Sequence, residues 1–197
     1  MSEGRDDGHM FWVDPEQRGI LPLDGFHLSR RLRRTVRQGG YEIRINTAFE
    51  AVMNACAASA SGRWTTWINH EIQDLFTALN GRGFAHSLEV WRDDELAGGL
   101  YGIALGGAFF GESMFSRRTD ASKIALVHLV GRLKSGGFQL LDTQFITDHL
   151  RQFGAVEISR DDYHSRLAPA LSVAGDFWLS GRSLSAESIL QSITQTS

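Results

Sequence analysis

Three polar residues stand within otherwise apolar segments near the middle of this chain. Glu112 belongs to the segment GESMFS, whereas Asp142 and Gln144 belong to LLDTQ. An unpaired polar group in an apolar setting costs free energy, so such side chains are kept either for a buried hydrogen-bond network or for a chemical task. Their types predict an apolar cleft whose wall carries two acids and one amide. The residues alone do not choose between structure and catalysis.

Strand geometry predicts how these side chains are arranged. If residues 109–114 form a strand, its two-residue period places Phe110, Glu112 and Met114 on one face. By the same rule, Asp142 and Gln144 share a face of the next strand along the chain. We therefore expect both acids and the amide to line the same cleft.

Hydrophobic periodicity and turn signals predict the elements that carry these residues. Strands are predicted at residues 41–46, 87–91, 96–105, 108–114, 138–142 and 155–158. Helices are predicted at residues 30–38, 48–58, 69–79, 121–134, 145–153 and 161–167, with Ser29 capping the first and Thr47 capping the second. This order is typical of an α+β fold with a central, mostly antiparallel sheet flanked by helices.

Length and composition favour one domain, because 197 residues with 42% hydrophobic content can bury a substantial core. We expect residues 1–10 to be disordered, residues 11–175 to form the domain and residues 176–197 to form a less regular tail. No apolar run approaches the roughly 18 residues of a membrane span, and the polar start lacks a secretion signal. Together with the single cysteine, Cys56, these features indicate a cytoplasmic protein without a membrane partner.

Positive charge is concentrated in one short segment, although the net charge is only -3. Residues 25–41 contain no acid but carry five arginines: Arg30, Arg31, Arg33, Arg34 and Arg37. The planar guanidinium suits phosphate contacts, and cationic surfaces of this kind bind nucleic acid independently of its sequence. The alternative explanation is a solvated helix face without a ligand. Salt-sensitive binding of RNA would discriminate between the two.

No metal or nucleotide site is predicted. His86, His128 and His149 are too widely spaced to form a ligand set, and Cys56 has no companion at metal-ligand spacing. The glycines between residues 98 and 107 lack the spacing of dinucleotide-binding or phosphate-binding loops, so we interpret them as turns and close backbone contacts. Aromatic residues such as Trp67 more often belong to a core than to a pocket wall.

Two long segments resemble the leucyl/phenylalanyl-tRNA-protein transferase family: AHSLEVWRDDELAGGLYGIALGGAFFGESMFSRRTDASKIAL and GGFQLLDTQFITDHLRQFGAVEI. The resemblance covers residues 11–171 and has GESMFS, DASK and the D-x-Q pair in the family order. It implies a main domain similar to the GNAT acyltransferases. It also implies transfer of Leu, Phe or Met from aminoacyl-tRNA to the N-terminal Arg or Lys of a protein, which marks that protein for degradation by the N-degron route. The aminoacyl ester is already activated, so neither cofactor nor metal is expected.

The resemblance implies roles for the candidate residues. The Gln144 carbonyl would accept a hydrogen bond from the attacking amine while Asp142 holds the NH₂ end of that glutamine, and Glu112 would pair with the basic N-terminal residue or its ammonium group. An apolar pocket for the Leu or Phe side chain is implied at Met114, Phe110 and Trp67, and further substrate contacts are implied at Ser116 and Thr147. The five arginines are assigned to tRNA, and four of them lie in the segment HLSRRLRR, which also resembles the family.

The chain departs from the family pattern at two points. Family members carry a smaller N-terminal domain that ends in a G-I-F-P-like segment and helps to close the amino-acid pocket, and we expect most of that domain to be missing here. Thr147 stands where the family has asparagine, which would alter acceptor recognition. Two other functions stay open. One is an acetyl-CoA-dependent GNAT acyltransferase, for which the Q/R-x-x-G-x-G/A loop is not found, and the other is a non-catalytic tRNA-binding module.

Overall fold

A computed structural model describes residues 13–58, 68–181 and 184–194 of the chain. The strands are β1 (Gln17–Ile20), β2 (Glu42–Ile45), β3 (Ala85–Arg92), β4 (Glu95–Leu105), β5 (Ala108–Ser116), β6 (Leu140–Gln144) and β7 (Val156–Ser159). The helices are α1 (Arg30–Gln38), α2 (Phe49–Ala57), α3 (His70–Gly81), α4 (Ala121–Ser135), α5 (Asp148–Arg151), α6 (Arg160–Leu171) and α7 (Ala186–Thr194). Residues 1–10, for which we predict disorder, lie outside the described ranges.

These strands form a seven-stranded sheet in the order β2-β3-β4-β5-β6-β1-β7. Neighbouring strands are antiparallel except for β5 and β6, which are parallel. Helix α4 packs on one face of β3, β4 and β5, whereas α2, α3 and α6 cover the opposite face. The prediction of an α+β fold with a mostly antiparallel sheet flanked by helices is confirmed.

Helix starts show where local signals suffice and where they do not. Ser29 starts α1 as predicted, because its hydroxyl accepts a hydrogen bond from the Leu32 amide at 3.3 Å. The predicted Thr47 cap of α2 is wrong, since Ala48 occupies the N-cap position without a side-chain cap. The buried Glu89 carboxylate of β3 accepts hydrogen bonds from the Thr47 hydroxyl and, at 2.8 Å, from the Ala48 amide. A tertiary contact therefore replaces the local cap.

Strand β1 is absent from the sequence prediction, yet it lies between β6 and β7 and pairs with both. Its four residues contain one strongly apolar side chain, so neither periodicity nor propensity marks it. Gly19 allows the close approach of β6, because a Cβ there would lie 3.1 Å from the Thr143 hydroxyl of that strand. Pairing with two distant strands orders this segment and brings Arg18 against β6.

The C-terminal region, predicted to be a less regular tail, contains helix α7. This helix packs on α4 through Ile189, Leu190 and Ile193, which are all buried. Gly131 of α4 makes the approach possible, since a Cβ there would lie 2.7 Å from the Ile189 side chain. Helix α7 thus extends the core on the α4 face of the sheet.

A β-bulge interrupts the pairing of β4 with β5 at Glu112. Tyr101 lies opposite Ser113, while the next residue of β4, Gly102, lies opposite Gly111, so Glu112 is the extra residue of β5. A Cβ at Gly102 would lie 2.2 Å from a carbonyl oxygen of β5, which leaves room only for glycine. The extra residue reverses the alternation of side chains along the second half of β5.

The parallel strands β5 and β6 pair over a short distance and then part. Their pairing runs from Ala108 opposite Leu140 to Phe110 opposite Asp142. Residues 111–116 of β5 extend past this point, whereas β6 ends at Gln144. The gap between the two strands is where the polar residues singled out in the sequence meet.

Candidate active site

A cleft of about 580 Å³ occupies the gap between β5 and the end of β6. Much of its lining is apolar and comes from Leu100, Met114, Phe115, Leu126, Leu129, Leu141, Phe145 and Leu150. Its polar lining includes Tyr101, Glu112, Ser113, Ser116, Ser122, Thr143, Gln144, Thr147 and His149. An apolar pocket with a few polar groups is the usual form of a small-molecule site.

Glu112 brings an acid into this cleft. Burial, reinforced by the nearby charge of Asp142, raises the pKa of Glu112 to about 7. Gln144 opposes this change, because its Nε2 donates a hydrogen bond to Glu112 Oε2 at 3.0 Å. Glu112 therefore changes its charge near neutral pH, and a cation entering the cleft would favour the ionised form.

Gln144 ends β6 with a left-handed backbone, at φ 62°, which is uncommon for a residue other than glycine. Its backbone N–H donates a hydrogen bond to Asp142 Oδ1 at 2.7 Å, and its side-chain NH₂ donates to Glu112. No described residue donates a hydrogen bond to Gln144 Oε1. This oxygen is left as an acceptor for a ligand in the cleft.

Asp142 is fully buried on the α6 side of the sheet and does not line the cleft. Its carboxylate accepts hydrogen bonds from Arg18 Nη2 at 2.7 Å, from Arg18 Nε at 3.1 Å and from the Tyr163 hydroxyl at 2.6 Å. The prediction that Asp142 holds the NH₂ group of Gln144 is wrong, because that group contacts Glu112 instead. Asp142 fixes the backbone of Gln144 rather than its amide.

Sequence reasoning missed Arg18 and Tyr163, the two side chains that donate hydrogen bonds to this carboxylate. Arg18 belongs to the unpredicted strand β1, and Tyr163 lies on α6. Burial and the charge of Asp142 raise the pKa of the Tyr163 phenol, so it stays a donor. The sequence offered only a general indication of these partners, because any buried carboxylate needs a cationic or hydrogen-bonding partner.

Three predicted substrate contacts line the cleft: Met114, Ser116 and Thr147. Two of them also hold the local backbone. The Ser116 hydroxyl donates a hydrogen bond to the Arg118 carbonyl at 2.8 Å, and the Thr147 hydroxyl caps α5 by accepting one from the Leu150 amide at 3.3 Å. Met114 packs against the core beneath α4 and adds apolar surface to the cleft.

Phe110 is placed elsewhere. It packs against the cluster of Ile20, Leu140 and Tyr163 on the α6 side of the sheet and is not part of the cleft lining. The prediction that Phe110 shares a face with Met114 is wrong, because the bulge between them reverses the alternation. Trp67, the third predicted pocket residue, lies outside the described residues.

Helix α1 carries its arginines on an exposed surface. Arg31 donates two hydrogen bonds to Asp120, at 2.5 and 3.0 Å, which compensates its charge. The other four line a surface groove, and no described acid pairs with them: Arg30, Arg33, Arg34 and Arg37. The structure thus separates one structural arginine from four that are available to an anionic ligand.

The described histidines and acids do not gather into a metal site. Within residues 13–58, 68–181 and 184–194, no group of three His, Cys, Asp or Glu side chains could hold a metal ion. Burial lowers the pKa of both His86 and His128 to about 4, which keeps these core side chains neutral. The same ranges contain no helix with the length and apolarity needed to cross a membrane.

Comparison with known proteins identifies the family. A family model described as leucyl/phenylalanyl-tRNA protein transferase matches residues 20–168. The chain belongs to this family. The matched region contains Glu112, Gln144 and the whole cleft lining, whereas Arg18 lies just before it.

Curated members of the family match most or all of the chain. The leucyl/phenylalanyl-tRNA--protein transferase of Caulobacter vibrioides (strain NA1000 / CB15N) is 58% identical over 197 residues, which cover 100% of this chain and 91% of that protein. Its counterpart in Paramagnetospirillum magneticum is 63% identical over 172 residues, 87% of this chain and 82% of the relative. Among solved structures, L-PGS from Bacillus licheniformis superposes with a TM-score of 0.44 at 14% identity, over 69% of this chain and 50% of that one.

Proposed function

We propose that the chain transfers leucine or phenylalanine, and in some cases methionine, from aminoacyl-tRNA to the α-amine of an acceptor protein. Membership of the leucyl/phenylalanyl-tRNA protein transferase family supports this activity. The observation that carries it to particular residues is the Gln144–Glu112 pair at an apolar cleft. The cleft would bind the apolar side chain of the aminoacyl group, and Gln144 with Glu112 would bind the amine of the acceptor.

The reaction needs positioning more than activation. The nitrogen of a neutral α-amine attacks the ester carbonyl carbon, the bond from that carbon to the tRNA ribose oxygen breaks, and the ribose oxygen gains the proton that the amine loses. The α-amine has a pKa of about 7.7 to 8.0, so an appreciable fraction is neutral at physiological pH. Holding amine and ester together supplies most of the rate.

Gln144 and Glu112 are placed to hold that amine. The free Gln144 Oε1 accepts a hydrogen bond from the amine, while its NH₂ group is anchored on Glu112. Glu112 in its ionised form attracts the positive charge of the acceptor. Asp142 does not touch the substrate in this scheme, because it is buried and already accepts from Arg18, Tyr163 and Gln144. Its role is to position Gln144.

The apolar wall of the cleft fits the aminoacyl side chain. Leu100, Met114, Leu126 and Leu129 line it and provide no hydrogen bond for a polar side chain. Because burial of apolar surface is favourable, we assign the side chains of leucine and phenylalanine to this wall. A polar aminoacyl group would lose its hydration there without compensation.

The acceptor specificity follows from the charge of Glu112. We propose that the acceptors begin with Arg or Lys, since Glu112 lines the cleft and its carboxylate can pair with the positive side chain of such a residue. Transfer of Leu or Phe to those proteins would mark them for degradation by the N-degron route. Charged tRNA is a cytoplasmic substrate, so we also place the reaction in the cytoplasm.

The tRNA body is assigned to helix α1. Four arginines without a described acidic partner give this helix the character of a phosphate-binding surface: Arg30, Arg33, Arg34 and Arg37. Arg31 is assigned to the fold because Asp120 holds it. A GNAT-like arrangement of the domain is also part of the proposal, supported by a mixed sheet whose parallel strands part at the cleft.

A transfer assay tests the function. The purified chain is mixed with labelled Phe-tRNA and a peptide that begins with Arg, and mass spectrometry detects the Phe-Arg product. We expect product with the free amine and none with an acetylated amine. Gln144→Ala should lower the transfer rate about 100-fold while tRNA binding is unchanged, because the hydrogen-bond acceptor that positions the amine is lost. Gln191→Ala, on the exposed surface of α7, is the matched control.

Two outcomes would contradict the proposal. Binding of Phe-tRNA without any consumption, in the presence of the Arg-started peptide, would indicate a non-catalytic tRNA-binding module. Full activity of Gln144→Ala would remove the amide from the reaction while leaving the family activity intact.

A further inference from the structure

Three residues that line the cleft each carry a buried polar atom without a hydrogen-bond partner among the described residues. The atoms are Tyr101 Oη, Thr143 Oγ1 and His149 Nε2. The three residues line the same cleft although they come from β4, β6 and the start of α5. Buried polar atoms without a partner are few in folded proteins, and each one calls for an explanation. A ligand that enters the cleft is one partner that could pair all three residues.

Tyr101 is the most strictly placed of the three. Its side chain is 0% exposed, and its ring meets Phe49 and Phe76 edge to face, with centroids 6.0 and 5.3 Å apart. This packing fixes the ring and therefore the hydroxyl. Burial, with smaller contributions from Cys56 and Glu112, raises the pKa of the phenol well above its usual range. Tyr101 is a neutral donor at every physiological pH.

The other two groups can also donate. Thr143 stands between Asp142 and Gln144 on β6, and its hydroxyl proton is free to rotate toward the cleft. The Gln152 amide nitrogen lies 3.4 Å from His149 Nδ1, and in the tautomer that accepts its hydrogen bond the ring proton is on Nε2. Burial and the charge of Lys123 lower the pKa of His149, so the ring is neutral.

The ligand for such a set is a neutral group rich in acceptors. An anion such as a phosphate would be repelled by Glu112 once that acid ionises. A carboxylic ester is uncharged and offers two oxygens as acceptors, and the apolar side of the same cleft takes the side chain attached to it. Of the substrates in the proposed function, on which this inference rests, the aminoacyl ester has this composition.

We propose that Tyr101, Thr143 and His149 form a hydrogen-bond donor set for the oxygens of the aminoacyl ester, with Tyr101 as its fixed member. The ester carbonyl oxygen becomes more negative when the amine attacks, so a donor to it stabilises the transition state more than the ground state. The side chains contribute hydrogen bonds only, and each keeps its proton. The fold carries the three unpaired atoms because the substrate pairs them.

Tyr101→Phe and Thr143→Val test this set, since each change deletes a single unpaired hydroxyl at nearly constant shape. In the Phe-tRNA transfer assay under single-turnover conditions, we expect each to lower the rate at least 10-fold. The melting temperature of each variant should equal or exceed that of the wild type, because the removed hydroxyl has no partner in the free protein. Tyr163→Phe is the matched control, and it should lower the melting temperature because its hydroxyl donates to Asp142 at 2.6 Å.

A second measurement keeps this inference separate from the proposed function. Calorimetry with 3′-amino-3′-deoxyadenosine carrying phenylalanine through an amide measures ligand binding without any transfer. We expect at least fivefold weaker binding by Tyr101→Phe than by the wild type. If the wild type binds this analogue more tightly than Tyr101→Phe does but never transfers phenylalanine, the result supports the donor set and contradicts the proposed function.

The inference is overturned if both variants melt at lower temperature and keep wild-type transfer and analogue binding, since the hydroxyls would then serve internal water. It is overturned equally if the wild type does not bind the analogue at all. Wild-type transfer accompanied by unchanged rates in both variants removes the donor set but leaves the transferase activity in place.

Discussion

Replacing Glu112 with glutamine separates the charge of this residue from its shape. The amide is nearly the size of the carboxyl group, and its oxygen can still accept the hydrogen bond that Gln144 donates at 3.0 Å. The group that disappears is the one whose pKa is raised from 4.5 to about 7 by burial and by the charge of Asp142. The variant therefore measures how much the ionised carboxylate lowers the free energy of unfolding. It also measures how much the same charge favours reaction with the acceptor.

The sign of the stability effect follows from proton linkage. The folded chain holds the Glu112 proton up to a higher pH than the unfolded chain does, so the stability linked to this proton is fully present below pH 4.5 and is lost as pH rises through 7. One pKa unit corresponds to about 1.4 kcal/mol, which makes the loss about 3 kcal/mol at pH 8. Glu112→Gln does not incur that loss.

Urea unfolding at several pH values measures this difference. We expect the free energy of unfolding of Glu112→Gln to exceed that of the wild type by up to about 3 kcal/mol at pH 8, with little difference near pH 4.5. Groups other than Glu112 titrate in both proteins and cancel in the comparison. A gap between the two proteins that does not change from pH 4.5 to pH 8 would refute the reasoning.

Activity should change in the opposite direction. Because an ionised Glu112 attracts the cationic acceptor, the ratio of wild-type to Glu112→Gln kcat/KM for an Arg-started peptide should grow as pH rises from 6 to 8. A hydrogen bond to a charged group contributes about 1.5 to 3 kcal/mol, which corresponds to a ratio of about 10 to 100 at the upper end. The titration of the peptide amine cancels in this ratio. Equal kcat/KM values at pH 8 would remove Glu112 from acceptor recognition.

Two further perturbations address the supporting structure and the tRNA surface. Asp142→Asn leaves its partly buried arginine partner, Arg18, without a counter-charge, so we expect about 3 kcal/mol less stability in urea unfolding, and a loss below about 1 kcal/mol would contradict the role of this ion pair. The double change Arg33→Gln/Arg34→Gln should reduce the salt dependence of tRNA binding, lowering the slope of log K against log salt by about 1.5, whereas Arg166→Gln on α6 should not. Fluorescence titrations from 50 to 200 mM salt measure these slopes, and equal slopes in all three proteins would remove α1 from the tRNA site.

Much of the fold could be predicted because its elements carry local signals. Helix α1 has a serine cap and a helical apolar stripe, and strands β3 to β5 follow one another with turn residues between them. Strand β1 could not be predicted this way, because its order comes from pairing with β6 and β7. Since Arg18 depends on β1, the cationic partner of Asp142 was hidden as well.

The sequence predicted which residue types form the candidate site, but part of their predicted arrangement was wrong. Glu112 and Gln144 do meet, because neighbouring strands bring them together. The two-residue period failed at the bulge, which placed Phe110 and Met114 on opposite faces. It failed again at Asp142 and Gln144, because the left-handed backbone of Gln144 turns its amide to Glu112. A period describes regular strands, and both errors occur where the strands are irregular.

Those irregularities have a common consequence. A left-handed residue other than glycine costs on the order of 1 to 3 kcal/mol, and the bond from the Gln144 amide to the buried Asp142 carboxylate offsets part of that cost. The bulge likewise gives up a regular pairing position and turns Glu112 toward the end of β6. An uninterrupted pairing of β5 with β6 would close the gap that holds the cleft. Arg18 and Tyr163 hold the Asp142 carboxylate in place, and that carboxylate in turn holds the backbone of Gln144 at the edge of the cleft.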